Sequence, residues 1–119
     1  MEPELDVLIW DDDPNTVKAV YRHCRPRPIR KAITAIDFLH SLQRKPKVVI
    51  LNKIEQFTED DIADSLSERL TDAAYVIICK DDPAYRKRMV EKLRIHGVRA
   101  IQFDPDSEFL WISIYNILK

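Results

Sequence analysis

The sequence predicts an α/β protein in which a parallel sheet is covered by helices on both faces. Short runs rich in β-branched residues alternate with stretches whose apolar residues recur at helical spacing, and there are five of each. Asp–Pro pairs follow several of these runs, where a capping carboxylate and a proline favour the start of a helix. This order of elements is typical of strand–helix–strand units, whose connections make neighbouring strands parallel.

The five predicted strands are short and mainly apolar. They span residues 7–10, 29–33, 47–51, 74–79 and 99–103. Each of the helical stretches that follow them carries one apolar stripe, which we expect to face the sheet. The stripes are Val17, Val20, Tyr21 and Cys24; Ile36, Leu39 and Leu42; Ile62, Leu66 and Leu70; Met89, Val90 and Leu93; and Leu110, Ile114, Ile117 and Leu118.

Local signals mark where the helices begin and end. The Asp–Pro pairs at 13–14 and 82–83 each place a capping carboxylate before a proline suited to the first helical turn. Thr58 and Asp61 have the spacing of a capping box. Gly97 follows the fourth helical stretch, where a residue in the left-handed conformation commonly ends a helix.

Composition limits the class of protein. The 119 residues suffice for one domain, spanning residues 1–119, and the net charge of −1 gives no general attraction to nucleic acids or membranes. The longest apolar run, 73–79, is too short to cross a bilayer, and the N-terminus has no signal-peptide pattern. Cys24 and Cys79 have no motif spacing, which favours a reduced, cytoplasmic protein. The single glycine, Gly97, excludes glycine-rich phosphate loops.

The stretch LIWDDDP, residues 8–14, resembles the opening of the receiver domain of two-component response regulators. In that family, two adjacent acids at the end of the first strand hold magnesium. The resemblance continues through AITAIDFLHSL (32–42), VVILN (48–52) and HGVRAIQFDP (96–105), so it covers essentially the whole chain. It implies a single-domain, doubly wound fold of the flavodoxin or CheY-like type, with five strands in the order 2-1-3-4-5 and five helices.

The resemblance assigns roles to the residues that follow the first, third and fourth strands. Asp11 and Asp12 match the metal-binding acidic pair. Asn52 falls where the family has its phosphoryl-accepting aspartate. Cys79 falls where a threonine or serine hydroxyl normally contacts the phosphoryl group. The acidic pair is therefore kept, whereas the acceptor and the hydroxyl are replaced.

Three further positions depart from the family's pattern. Lys80 lies where a small residue usually gives access to the phosphoryl group, and Asp104 lies where a lysine neutralises its oxygens. Ile101 lies where an aromatic switch residue is common. The resemblance thus implies a degenerate phosphoacceptor pocket, whose residues are Asp11, Asp12, Asn52, Cys79, Lys80 and Asp104.

These departures predict a pseudo-receiver that does not accept phosphate. Phosphoryl transfer needs a carboxylate nucleophile, which the amide of Asn52 cannot supply. It also needs positive charge facing the phosphoryl oxygens, whereas Asp104 is negative. We therefore expect a protein without enzyme activity and without a required cofactor, in which Asp11 and Asp12 retain at most a weak or vestigial Mg²⁺ site.

The three adjacent aspartates at 11–13 need an explanation, because each pair repels by about 3 kcal/mol at roughly 5 Å and an effective dielectric near 20. One explanation is a helix cap at Asp13 with two solvated loop carboxylates. A second is a residual cation site that Asp104 partly completes. A third is an internal counter-ion, with Lys53 or Lys80 folded over the acids. The sequence leaves all three open.

Two other features have simple explanations that we favour. Cys79 reads as a small apolar residue at a strand end rather than as a redox-sensing thiol, which would need nearby positive charge. The basic run 22–31 contains two prolines at a helix end, so a solvated connection is favoured over a nucleic-acid patch.

The last helix predicts an interface. When its apolar stripe faces the sheet, Trp111, Ile112 and Tyr115 fall on the opposite or flanking side, and such residues often anchor protein interfaces. The alternative is that Trp111 merely covers the edge of the sheet. In the receiver family the fourth helix, fifth strand and fifth helix commonly form the dimer or partner surface. The resemblance therefore implies an interface made of Arg86, Lys87, Arg99, Ile101, Trp111, Ile112 and Tyr115.

Together these observations predict a phosphorylation-independent signalling or regulatory module that acts by dimerisation or by docking a protein partner. One form of such a module is the regulatory domain of a longer transcription or signalling regulator, which carries an attached effector domain. The alternative is a magnesium-dependent phosphohydrolase of the haloacid-dehalogenase type, with a DxD motif at 11–13 and further acids at 81–82. The short chain, the missing glycine after the second acid and the spacing to Asn52 and Cys79 favour the receiver interpretation.

Overall fold

Strands and helices alternate along the chain as predicted. The structure is a computed structural model and describes residues 4–11, 13–51, 59–71, 73–79, 82–104 and 107–119. Within these ranges the strands are β1 (Val7–Trp10), β2 (Ile29–Lys31), β3 (Val48–Leu51), β4 (Tyr75–Ile78) and β5 (Arg99–Gln102). The α-helices are α1 (Pro14–Cys24), α2 (Ala35–Ser41), α3 (Glu59–Arg69), α4 (Pro83–Ile95) and α5 (Glu108–Leu118), and a short 3₁₀ helix (Leu42–Arg44) continues α2.

The strands form one parallel sheet in the order β2-β1-β3-β4-β5, which confirms the predicted order. Trp10 is paired with Leu51, Leu51 with Ile78, and Ile78 with Gln102. The last residues of β1, β3, β4 and β5 are therefore level with one another. The loops that leave these four strands begin at one edge of the sheet, here called the carboxyl edge, where ligands bind in folds of this type.

Two apolar layers cover the sheet because successive strand residues point to opposite faces. Leu8 and Trp10 belong to the layer formed with α2, α3 and α4, whereas Val7 and Ile9 belong to the layer formed with α1 and α5. All four residues of β1 and all four of β3 are buried, as expected for central strands of a sheet covered on both faces.

The predicted stripe of α2 is wrong at one position. Ile36 is 81% exposed, whereas Phe38 is fully buried and its ring stacks on that of Trp10, with centroids 4.7 Å apart. Two residues along a helix are separated by about 200°, so only one of this pair can face the core. The helix has only seven residues, and so short a segment does not fix the phase of its buried face from spacing alone.

The helix signals are largely confirmed. Asp13 and Asp82 are the N-caps of α1 and α4, each before a proline in the first turn. Gly97 follows α4 with φ of +82°, a conformation that glycine adopts without steric cost. Helix α5 begins after Ser107, its N-cap residue. The predicted capping box begins at Thr58, which lies outside the described residues.

Candidate functional site

The carboxyl edge of the sheet brings two of the predicted pocket residues into a buried setting. Asp11 directly follows β1 and is 2% exposed, and Cys79 directly follows β4 and is 1% exposed. Asp104 follows β5 and is exposed. The other three members of the predicted pocket, Asp12, Asn52 and Lys80, lie outside the described residues.

The two described aspartates that follow β1 have local partners. The Asp11 Oδ1 accepts a hydrogen bond from the Asp13 backbone N–H at 2.8 Å. The Asp13 Oδ1 in turn accepts the Asn15 backbone N–H at 2.9 Å, which caps α1. The predicted cap at Asp13 is confirmed. Of the three explanations left open for these acids, solvation does not apply to Asp11, which is buried at the end of a central strand.

The thiol of Cys79 has a raised pKa. Burial is the main cause and the negative charge of Asp11 adds to it, whereas the guanidinium of Arg86 lowers the pKa, and the combined effect raises the pKa to about 12. The Cys79 Sγ lies 3.9 Å from the Leu51 carbonyl oxygen, within reach of a weak S–H hydrogen bond. A thiol that stays protonated at neutral pH is a poor nucleophile, so the electrostatics favour the structural interpretation of Cys79 over a redox sensor.

Arg86 corrects one of the sequence-based assignments. We expected it in a surface interface, but its side chain is buried, at 8% exposure, and its charge acts on the thiol of Cys79. Helix α4 begins next to the carboxyl edge, so its first turns lie close to the residues that follow the strands. A permanent cation from α4 is therefore near the acidic end of the sheet.

A signal for this burial was present in the sequence. Arg86 precedes Met89, Val90 and Leu93 by three, four and seven residues, so it lies on the same helical face as the buried stripe of α4. The counter-ions that we considered, Lys53 and Lys80, both lie outside the described residues.

The predicted interface residues divide between two surfaces. Lys87 and Arg99 are exposed, and the guanidinium of Arg99 lies over the ring of Tyr75, 5.5 Å from its centroid. Ile101 is half-buried and packs against the apolar layer of α1 and α5. On the outer side of β5, the Arg94 Nε donates to the Ala100 carbonyl at 3.0 Å, so a charged side chain covers part of this edge strand.

Two aromatic residues of α5, Trp111 and Tyr115, lie beside α1. The ring of Trp111 stacks on that of His23, with centroids 4.5 Å apart and planes inclined by 17°. A cavity of about 630 Å³ lies between the two helices and is lined by Arg22, His23, Glu108, Trp111, Ile112 and Tyr115. We call it the α1–α5 groove. The structure thus places Trp111, Ile112 and Tyr115 beside α1, and the predicted interface with β5 stays a prediction.

Helical phase explains this placement. Leu110, Ile114 and Leu118 point into the core, so Trp111 and Tyr115 lie on the flank beside α1. At about 100° per residue, Phe109 lies on the other flank, roughly 160° from Trp111. Phe109 is an exposed aromatic residue that we did not single out from the sequence, although the same calculation would have placed it.

The described residues show little sign of other kinds of site. Among the described residues, no group of three or more His, Cys, Asp or Glu side chains is arranged to hold a metal ion. In the same part of the chain, no helix combines the length and the apolar character needed to cross a membrane. The Mg²⁺ site expected at Asp11 and Asp12 stays a prediction, since Asp12 lies outside the described residues.

Several solved structures resemble the chain in fold. A BeF₃-activated DrrB receiver domain is 21% identical with a TM-score of 0.68, and 97% of each chain is covered. An adenylate cyclase from Rhodopirellula baltica is 10% identical with a TM-score of 0.70, over 97% of this chain and 87% of the other. A trimeric coiled coil of yeast Spc42, fused to another structure, is 16% identical with a TM-score of 0.65, over 99% of this chain and 81% of the other.

No family model and no curated protein matches the chain. At these identities the structural similarity establishes the fold and nothing beyond it. The strand order and the match to a receiver domain over nearly its whole length show that the chain has a CheY-like receiver fold.

Proposed function

We propose that the chain is a phosphorylation-independent receiver-like module of a two-component-type system, which acts by docking a protein partner or by dimerisation. One observation carries the proposal. The residue that follows β3, whose strand ends level with β1 and β4, is an asparagine rather than an aspartate. An amide has no carboxylate oxygen with which to attack a phosphodonor, so the phosphoryl-accepting reaction of the receiver family has no nucleophile at Asn52.

The neighbouring groups support the same conclusion. Cys79 presents a buried, protonated thiol where the family has a hydroxyl. Asp104 is an exposed carboxylate where the family has a lysine, so it would repel phosphoryl oxygens. The buried guanidinium of Arg86 adds a permanent positive charge near the acidic end of the sheet. We infer that this charge offsets the acids without a phosphoryl group.

Any residual Mg²⁺ site would use the carboxylates of Asp11 and Asp12. Asp11 is buried and already accepts a hydrogen bond from the Asp13 N–H. Binding a hydrated cation would therefore require Asp11 to become exposed and this hydrogen bond to break. We therefore propose that Mg²⁺ binding is weak and that the module needs no cofactor. We also propose that it works in the cytoplasm, because both cysteines, Cys24 and Cys79, are buried free thiols.

The geometry gives no support to a phosphohydrolase. A DxD motif at 11–13 would need the carboxylates of Asp11 and Asp13 at the reacting centre. The Asp13 carboxylate caps α1 instead, and Asp11 accepts the Asp13 N–H. We expect no turnover of p-nitrophenyl phosphate with Mg²⁺, measured against a buffer blank.

Intact-mass spectrometry tests the proposal. The wild type is incubated with acetyl phosphate and Mg²⁺, beside a receiver domain known to accept phosphate as the positive control. We expect no adduct of about 80 Da, the mass of one phosphoryl group. A stoichiometric, base-labile adduct would contradict the proposal. Asn52→Asp alone should also stay largely unmodified, whereas Asn52→Asp combined with Asp104→Lys restores both nucleophile and countercharge and should gain labelling.

A further inference from the structure

The α1–α5 groove has the form of a site for side chains of a partner. Its volume of about 630 Å³ lies within the range of small-molecule and peptide side-chain pockets. Ile112 and Tyr115 are 56% and 63% exposed on its α5 side. Isolated exposed apolar residues are common on protein surfaces, but here they adjoin a half-buried tryptophan and a cavity.

The groove is held in shape before anything binds. Trp111 packs against the core layer of α1 and α5, and its ring stacks on His23 across the groove. A preformed aromatic wall lowers the entropic cost of association. Glu108, Trp111 and Tyr115 recur every three to four residues, so they form one row about 10 Å long, which equals two turns of a docked helix.

The charged residues around the groove are mainly basic, which favours an acidic partner. All residues of α1 are described, and none of them is acidic, whereas Lys18 and Arg22 are basic and exposed, as is Arg25 directly after the helix. On α5 the only acid is Glu108. This face is therefore locally positive on a chain whose net charge is −1. Such a surface attracts an acidic partner and disfavours a second copy, which would present the same basic helix against it.

We propose that the α1–α5 groove is the docking site of the module and that its partner is an amphipathic helix with acidic flanks. This inference rests on the proposed function, because it names the surface through which a module without phosphoryl switching acts. The apolar row of the partner helix packs on Trp111, Ile112 and Tyr115, and its carboxylates face Arg22 and its neighbours on α1. This is the groove mode of helix recognition, with anchors at helical spacing.

The test uses three synthetic helical peptides of about 18 residues, roughly five turns. They share one leucine row and differ only in the residues beside it, which are glutamate, glutamine or lysine. Affinity is measured from the fluorescence anisotropy of labelled peptide added to the wild-type chain. We expect the glutamate peptide to bind at least about tenfold more tightly than the lysine peptide, and this preference to shrink as salt is added.

Variants locate the binding. Arg22→Glu should reverse the preference between the glutamate and lysine peptides. Tyr115→Ala should weaken binding of the glutamate peptide by about tenfold or more, as expected for an aromatic anchor. Lys87→Glu makes the same charge change on α4, away from the groove, and should leave the affinity unchanged. All three side chains are exposed, so thermal melts should match the wild type and exclude unfolding as the cause.

Several outcomes would overturn the proposal. The first is a glutamate peptide that produces no anisotropy change at millimolar protein. The second is binding that Arg22→Glu and Tyr115→Ala leave unaltered. The third is sedimentation showing a wild-type dimer that Tyr115→Ala dissociates, since the occupant would then be a second copy. The phosphodonor experiment is independent. An adduct there overturns the proposed function and leaves the peptide result standing, whereas failed docking overturns the groove as the docking site and leaves the absence of an adduct explained by Asn52.

Discussion

The carboxyl edge of the sheet and the α1–α5 groove differ in how their chemistry is presented. At the edge, Asp11, Cys79 and Arg86 are buried, and their charges or dipoles act on one another. In the groove, Ile112 and Tyr115 remain exposed beside a stacked tryptophan. These three residues of the edge thus have a structural character, whereas the groove has that of an open surface. We infer that recognition in this module takes place on the helices rather than in the pocket.

The largest effect that separates the two regions should come from Arg86. Arg86→Ala removes a buried cation near the acidic end of the sheet and should lower the free energy of unfolding by about 3 kcal/mol, the scale for leaving a buried charge uncompensated. Lys87→Ala, at the exposed neighbouring position, should stay within about 0.5 kcal/mol. Urea denaturation measures both. Arg86→Met keeps the apolar stem of the side chain, so full stability in Arg86→Met would show that packing rather than charge matters there.

The next largest effect should be on the reactivity of the two thiols, which reports whether Cys79 at the carboxyl edge is accessible to solvent. Because the pKa of the Cys79 thiol is about 12, almost no thiolate exists at pH 8, and the thiol is buried. Burial also raises the pKa of the Cys24 thiol, although the nearby charge of Arg27 lowers it. We expect both thiols to react with a disulfide reagent at least about a hundredfold more slowly in the native chain than in urea. Rapid reaction of Cys79, identified with a Cys24→Ala variant, would mean that the edge is open.

Substitutions in the groove should have a smaller effect on stability. Trp111 is half-buried and stacked, so Trp111→Ala should cost about 1–2 kcal/mol of unfolding free energy while leaving the chain folded. Its neighbour Ile112 is exposed, so Ile112→Ala should cost less than about 0.5 kcal/mol of unfolding free energy. Both should weaken binding of the acidic peptide. If Trp111→Ala instead unfolds the chain, Trp111 belongs to the core, and the groove has no tryptophan anchor.

The smallest effect on stability should come from Asp37, which lies neither at the carboxyl edge nor in the groove. It serves as a reference, because it is a partly exposed acid. Burial alone would raise the pKa of Asp37, but hydrogen bonds from Arg30, the Ile33 N–H and Ser41 outweigh it and lower the pKa. A lowered folded-state pKa contributes stability above the unfolded value near 3.9, and this contribution is lost as pH falls through the folded value. The stability difference between wild type and Asp37→Asn should therefore shrink below about pH 4. A constant difference from pH 7 to pH 3 would contradict this assignment.

The sheet was predictable because central strands of a covered parallel sheet are continuous apolar runs. The predicted bounds of β1 and those observed agree, and the other strands differ by one or two residues. The phase of α2 was not predictable. Ile36 and Phe38 are both large and apolar, and only the position of Trp10 in the folded chain decides which of them is buried.

The candidate site was predictable in its chemistry and less so in its geometry. The replacements at Asn52 and Asp104 are visible in the sequence, because they change the functional group itself. The burial of Arg86 was visible in the helical phase, but a charged residue in a stripe is usually assigned to the surface. The contact of Trp111 with His23 joins helices about 90 residues apart in sequence. Spacing within α5 showed the flank on which Trp111 lies, but not the neighbour that occupies it.

A phosphoryl-like ligand at the carboxyl edge should have no effect on the groove. Backbone amide chemical shifts, recorded with and without beryllofluoride and Mg²⁺, test this most directly. We expect unchanged amide shifts for the residues after β1 and β4 and for those that line the groove, such as Trp111 and Tyr115. Saturable shifts at Asp11 or Cys79 that are accompanied by shifts in the groove would contradict it, because the pocket would then still control the surface.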